Sequence, residues 1–372
     1  LIWFHAASIG EIQSITNLIR EYEPNYEILI TTVTKTAASL VKETFGSKRR
    51  IHHRFFPIDT PFIMKKFLNE WSPKLIIFVD SEIWPNLLDL IEQRKIKTII
   101  VNARITKKTF LRWKKFNSSA RKLFSTFDLC IAANKETFDF LNIFKARNVK
   151  YFGNLKFSNN VKFKENLNEG DDRLLNHNLW CAVSTHKGED NFFLNTHVLL
   201  KKKFQNLLTI IAPRHLNRCD EIQKLSSNLQ LQSQILNKGD KIDITKDIII
   251  INSIGNLNFF LNYAKSVFMG KSLLIKLKNV GGQNPIQAAK LGCKIYHGPY
   301  IYNFQDVYNQ LKMMNISIQV NNEDELFKFI CEDFDKLKNR NDKSINLLNE
   351  LGENILNKNI FEINKVLNNV YK

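Results

Sequence analysis

Glu11 closes the stretch His5-Ala6-Ala7-Ser8-Ile9-Gly10-Glu11, which lies between a strand-like run and a helical one. Small residues and Gly10 keep the turn open, and a carboxylate there can take a proton from an attacking hydroxyl. A helix start favours an acid for electrostatic reasons alone, and it favours the ionised form that a base needs. A second acidic turn, Asp80-Ser81-Glu82-Ile83-Trp84-Pro85-Asn86, follows the apolar run 75–79. Its two acids either orient a substrate or, through Asp80 or Ser81, cap the next helix. Asn102-Ala103-Arg104 ends the next apolar run. Arg104 there either binds an anion or braces Glu82 by an ion pair. In Gly153-Asn154-Leu155-Lys156-Phe157, Lys156 either neutralises charge near a reacting centre or is a solvated linker lysine.

The second half carries different chemistry. Val280-Gly281-Gly282-Gln283-Asn284-Pro285 precedes Ile286, Ala288, Ala289 and Leu291, which read as a helix ended by Gly292. A glycine turn feeding a helix start offers N–H groups and the positive end of a dipole, which suits a phosphate. Many α/β proteins use such a turn only to reverse the chain. Three other turns accompany it: Ala212-Pro213-Arg214-His215, Gly255-Asn256 ahead of a helix near Leu257, and Gly270-Lys271-Ser272. Arg214 and Lys271 beside Gly281-Gly282 would make a phosphate pocket. His186 and His215, in turns after strands, and the pair His52-His53 read as structural histidines.

The elements that must carry these turns alternate. Strands are expected at 1–5, 27–32, 74–79, 96–101, 129–132, 179–183, 207–212, 248–251, 266–269 and 294–297, with helices between them. Such alternation means parallel sheets built from βαβ units, whose ligands sit at the C-terminal ends of the strands. The periodic pattern lapses over 152–172, which suggests three parts: an N-terminal Rossmann-like domain 1–155, a C-terminal one 156–345, and helices 346–372 packing back on the first.

At 372 residues there is room for two cores. No apolar run is long enough to span a membrane. The first residues already read as a strand, so we expect an anchor upstream of Leu1. Five scattered cysteines without a C-x-x-C pair argue against a zinc site or a disulfide frame. The net charge of +18 favours anionic partners. Lys107, Lys108, Arg112, Lys114, Lys115, Arg121 and Lys122 alternate with Phe110, Leu111, Trp113, Phe116 and Leu123. That composition suits an anionic membrane interface, and nucleic acid is not expected.

Taken in order, these motifs resemble the 3-deoxy-D-manno-octulosonic acid (Kdo) transferases of lipid A and lipopolysaccharide assembly. The resemblance runs from Trp3–Glu11 to Gly298–Phe304 and includes the stretches at 81–86, 102–104, 153–156, 184–186, 213–215 and 281–285. It implies an α/β fold of the GT-B glycosyltransferase type, two Rossmann-like doubly wound domains facing across a cleft. It implies transfer of Kdo from CMP-Kdo to a lipid A precursor with inversion, at the cytoplasmic face of the inner membrane. By the resemblance Glu11 is the general base, and Glu82 and Lys156 support the transition state. Pro213, Arg214, Ile254, Gly255, Asn256, Asn284, Pro285, Ile286 and Gln287 form the CMP pocket. No cofactor beyond the donor is implied, and metal-independent chemistry is expected. Gln287 and Asn256 stand where the family usually has Glu, and Ser158 where it commonly has Asp. Gln accepts a ribose hydrogen bond without charge assistance, so donor affinity should be weaker or donor choice altered. Two alternatives stay open: a related transferase with another nucleotide-sugar donor, and a non-catalytic basic membrane-binding relative.

Overall fold

A computed structural model describes residues 1–159, 172–253, 255–336 and 342–369. The chain divides into two compact units, Leu1–Asn160 with Asn349–Lys372, and Val161–Leu348. Each holds one parallel sheet. The first contains β1 (Ile2–His5), β2 (Ile28–Thr32), β3 (Ile51–Phe55), β4 (Leu75–Val79), β5 (Lys97–Ala103), β6 (Leu129–Ala132) and β7 (Val149–Tyr151), in the order β3-β2-β1-β4-β5-β6-β7. The second contains β8 (Asn178–Thr185), β9 (Leu207–Pro213), β10 (Ser233–Leu236), β11 (Ile248–Ile251), β12 (Ser266–Met269), β13 (Lys294–His297) and β14 (Ser317–Gln319). Its order is β10-β11-β9-β8-β12-β13-β14, so β11 comes between β9 and β10.

Apolar runs form the interior strands because helices cover both faces of a parallel sheet. Every residue of β1, β2, β4, β9 and β11 is buried. The four strands without a legible apolar run, β3, β7, β10 and β14, are the four sheet edges, and each is only partly buried. An edge strand pairs on one side only and carries more polar residues. His52 and His53 lie on β3 and find partners across the sheet: His52 Nε2 is 2.9 Å from Glu27 and His53 Nε2 is 2.9 Å from Thr32 Oγ1.

Each unit has its own core. Trp3, Phe78, Ile100, Phe124 and Phe144 centre the first, and Trp180, Phe193, Phe268 and Tyr296 the second. The long helix Asp342–Asn368 contributes to the first unit: Tyr22 donates to Asn364 at 3.0 Å, and Ile363 and Leu367 are buried. A Cβ on Gly352 would lie 2.1 Å from the Phe157 carbonyl oxygen, so only glycine lets this helix approach the segment that carries Lys156.

Strand order fixes where the site forms. In the first sheet β1 is flanked by β2 and β4, and His5 pairs with Phe78, so the turns after β1 and β4 emerge side by side. In the second, β8 adjoins β12 and Val183 pairs with Met269. These are the points where strand order reverses, the usual place for a ligand in such sheets.

Candidate active site

Glu11 stands in the first turn of the helix Ile9–Tyr22, whose N-cap is Ser8. One carboxylate oxygen accepts from the Ala7 backbone N–H at 2.8 Å and the other from the Ser8 hydroxyl at 2.7 Å. Burial outweighs these two bonds, and the nearby Asp80 and Glu82 charges add to it, so the Glu11 pKa is pushed up to about 7. This corrects the expectation that the helix start keeps Glu11 ionised. Desolvation decides the direction, and the group titrates where a general base is most effective.

Glu82 follows β4 and is held by one oxygen. Oε2 lies 3.1 Å from Nε2 of His5 and accepts from the Trp84 indole N–H at 3.0 Å. His5 is fully buried, and its ring stacks on Phe56 at 3.9 Å between centroids. The sequence placed His5 in the motif without giving it a task; a lone histidine ending an apolar strand was the available signal.

Asp80 takes a positive φ of 62° at the end of β4. Burial raises its pKa, and the positive charges of Lys156 and Arg104 oppose that rise. Arg104 therefore acts electrostatically on Asp80. Lys156 is no solvated linker residue. Its turn, Leu155–Ser158, is pinned by buried Asn102, whose side chain accepts from the Leu155 N–H at 3.0 Å. Asn154 caps the same turn by accepting from the Lys156 N–H at 3.0 Å. The motifs at 11, 80–82, 102–104 and 153–156 thus converge on one cluster in the first unit.

In the second unit the turns meet through backbone. Glu189 is 1% exposed, and its two oxygens accept from the N–H groups of His186, Lys271, Ser272 and Leu273 at 2.7–3.0 Å. It ties the turn after β8 to the turn after β12. The sequence marks Ser184-Thr185-His186-Lys187-Gly188-Glu189 as a turn after a strand but gives Glu189 no task, although it follows the first strand of its unit as Glu11 does. Gly282 N–H donates to the Lys271 carbonyl at 2.8 Å, and Gly282 has a φ of 91°. A Cβ on Gly281 would lie 2.2 Å from the Tyr300 carbonyl oxygen. Close backbone packing therefore explains these glycines.

Pro213 ends β9 in register with Thr185, and the exposed Arg214 is anchored by its N–H donating to the Thr185 carbonyl at 3.1 Å. His186 lies within electrostatic range of Lys271 and His215, and burial lowers its pKa. Its Nδ1 is 3.0 Å from the Ser184 carbonyl, which fits the structural part expected of it. Gly255 has a φ of 105°, and Asn256 caps the five-residue helix Leu257–Leu261; Ile254 lies outside the described residues. The glycine-fed helix is short, Ile286–Lys290, with Pro285 as its cap rather than its first residue. Asn284 accepts from the Ile286 N–H at 3.1 Å. Ile286 is buried, and the exposed Gln287 donates to Asn258, which joins this turn to the one at 255–258.

The basic segment breaks into two helices, Lys107–Lys115 and Asn117–Ser125. Phe110 and Phe124 enter the core, while Leu111 and Phe116 stay exposed among the lysines. Among the described residues no helix is long and apolar enough to cross a membrane, and no group of three or more His, Cys, Asp or Glu is placed to hold a metal ion.

Comparison with known proteins joins these observations. Residues 1–159 match the family model described as 3-deoxy-D-manno-octulosonic-acid transferase (kdotransferase). The 3-deoxy-D-manno-octulosonic acid transferase of Rickettsia typhi is 30% identical over 332 residues, 88% of this chain and 70% of that protein. The Haemophilus influenzae enzyme of the same name is 28% identical over 342 residues, 86% of this chain and 75% of that protein. A glycosyltransferase structure from Rickettsia africae superposes with a TM-score of 0.62 at 12% identity, covering 98% of both chains. That likeness shows the fold, the two-Rossmann architecture of GT-B glycosyltransferases.

Proposed function

The chain belongs to the Kdo transferase family of glycosyltransferases, and from that premise we propose that it moves Kdo from CMP-Kdo to a lipid A precursor of lipid IVA type with inversion. The observation that carries the reading is Glu11, a carboxyl group titrating at about 7 beside Asp80 and Glu82. In the reaction Glu11 takes the proton of the acceptor hydroxyl as its oxygen bonds to the anomeric carbon of Kdo. The bond from that carbon to the CMP phosphate oxygen breaks, and the electron pair leaves with CMP. A single displacement of this kind inverts the anomeric centre. Lys156 offsets negative charge in the first unit, and Glu82 orients the acceptor. In the second unit Arg214, Gly255, Asn256 and the turn 284–287 hold the nucleotide, with Arg214 on the phosphate, so the chemistry runs without a metal.

The acceptor is a phosphorylated glycolipid, which suits the +18 charge and a site of action at the cytoplasmic face of the inner membrane. Incubation with CMP-Kdo and a tetra-acylated lipid A precursor should give products heavier by whole Kdo residues; turnover with a different nucleotide sugar alone would overturn the donor assignment. Exposed Leu111 and Phe116 among basic residues support membrane contact. Changing Lys108, Lys114 and Lys115 to Glu should release the protein from anionic vesicles, and added salt should do the same.

A further inference from the structure

The hydrogen-bond chain behind Glu82 is fully buried up to the carboxylate. Trp3, Thr31 and His5 are all 0% exposed. The Trp3 indole N–H donates to Thr31 Oγ1 at 2.8 Å, and an indole nitrogen only donates. Thr31 Oγ1 is 2.9 Å from His5 Nδ1, and the Thr31 carbonyl oxygen is 3.3 Å from the same nitrogen. The Thr31 hydroxyl can accept from Trp3 and at the same time donate its own proton to His5 Nδ1. Nε2 then carries the ring proton and points it at Glu82 Oε2, 3.1 Å away. The reverse tautomer would set the Nε2 lone pair against a carboxylate oxygen.

Resting on the reading of Glu82 as a group that orients the acceptor, we propose that His5 is a positioning residue for the transfer reaction. Trp3 and Thr31 fix its tautomer, and its Nε2–H together with the Trp84 indole locks one oxygen of Glu82. The other oxygen is the one we assign to the acceptor. The stack of His5 on Phe56, and the tilted contact of Phe56 with Trp84 at 4.6 Å between ring centroids, hold both donors in place. A locked carboxylate presents one accepting oxygen in one direction, which is how orientation raises turnover rather than affinity.

Two measurements test this. Long-range proton–nitrogen spectra of the wild-type protein with labelled histidine, His5 being assigned by its absence in His5→Phe, should show the proton on Nε2. A proton on Nδ1 overturns the proposal whatever the variants do. In kinetics, His5→Phe keeps the stacked ring and loses the donor. Its kcat should fall about ten- to a hundredfold, the worth of one hydrogen bond to a charged group, with KM for CMP-Kdo unchanged. His5→Gln restores an N–H near Nε2 and should recover most of the loss. Equal damage in both variants, or none in His5→Phe beside a crippled Glu82→Gln, sinks the proposal alone. Wild-type turnover in Glu82→Gln sinks the reading on which it rests.

Discussion

Each unit has a glutamate shortly after its first strand, and the two are treated in opposite ways. Glu189 is sealed in and takes four backbone N–H groups, two on each oxygen. Glu11 is only partly buried and takes one backbone N–H and one hydroxyl. A carboxylate engaged by four donors organises loops and offers nothing further to a ligand. One with two donors, raised to about 7, keeps accepting capacity and a proton to exchange. The neighbouring turns follow suit. The turn after β4 carries Asp80 and Glu82, and the turn after β12 carries Gly270, Lys271 and Ser272. One unit gathers carboxyl groups at this place and the other backbone N–H groups and a lysine, although both are parallel sheets whose strand order reverses beside their first strand.

The contrast breaks most sharply at Glu11. Glu11→Gln should lower kcat by about a hundred- to ten-thousandfold while CMP affinity holds. In the wild type kcat/KM should rise with pH through about 7, as the carboxylate forms, and this limb should vanish in the variant. Stability should move the other way. A carboxyl group whose folded pKa lies above its usual 4.5 stabilises the fold while protonated and loses that contribution as pH rises through about 7. Against Glu11→Gln, the wild type should therefore lose up to about 3 kcal/mol between pH 4 and pH 8 in denaturant melts. A pH-independent difference would show that Glu11 is a plain helix-start residue.

Glu189→Gln should do the reverse. An amide NH2 facing backbone donors leaves two N–H groups without an acceptor, costing at least about 2 kcal/mol. Hydrogen exchange should rise at 186 and 271–273, CMP binding should weaken, and the pH limb of kcat/KM should stay in place. If that limb moves instead, the division of labour between the units is wrong. Arg214→Ala should weaken CMP binding by about 1.5–3 kcal/mol in calorimetry, the value of a charged hydrogen bond. Unchanged affinity would remove Arg214 from the donor pocket. Gln287→Glu should have the smallest effect. A charged acceptor should lower KM for the donor by no more than about 1 kcal/mol, roughly fivefold. It also requires Asn258 to turn its amide and donate where it now accepts. A raised KM would mean that the turn is built around Gln.

Periodicity in the chain was enough for the alternating parallel architecture and the interior strands, because burial on both faces forces continuous apolar runs such as Leu75–Val79 and Ile248–Ile251. It was silent on β3, β7, β10 and β14, since an edge needs no such run, and it could not place β11 between β9 and β10. The motif residues Glu11 and Glu82 were legible from their places near the ends of apolar runs, and Lys156 from the stretch Gly153–Phe157 where the periodic pattern lapses. Their chemistry was not. Burial, which no single stretch encodes, raises Glu11 against its hydrogen bonds from Ser8 and Ala7. Strand order brings the turns after β1 and β4 together, and only then does His5 reach Glu82 across 77 residues. Asn102 pins the Lys156 turn from more than fifty residues away in the same manner. The sequence by itself determined which side chains stand at the strand ends. The tertiary structure decided which of them lose water and which oxygen each N–H meets, because desolvation and hydrogen-bond direction depend on neighbours distant in the chain.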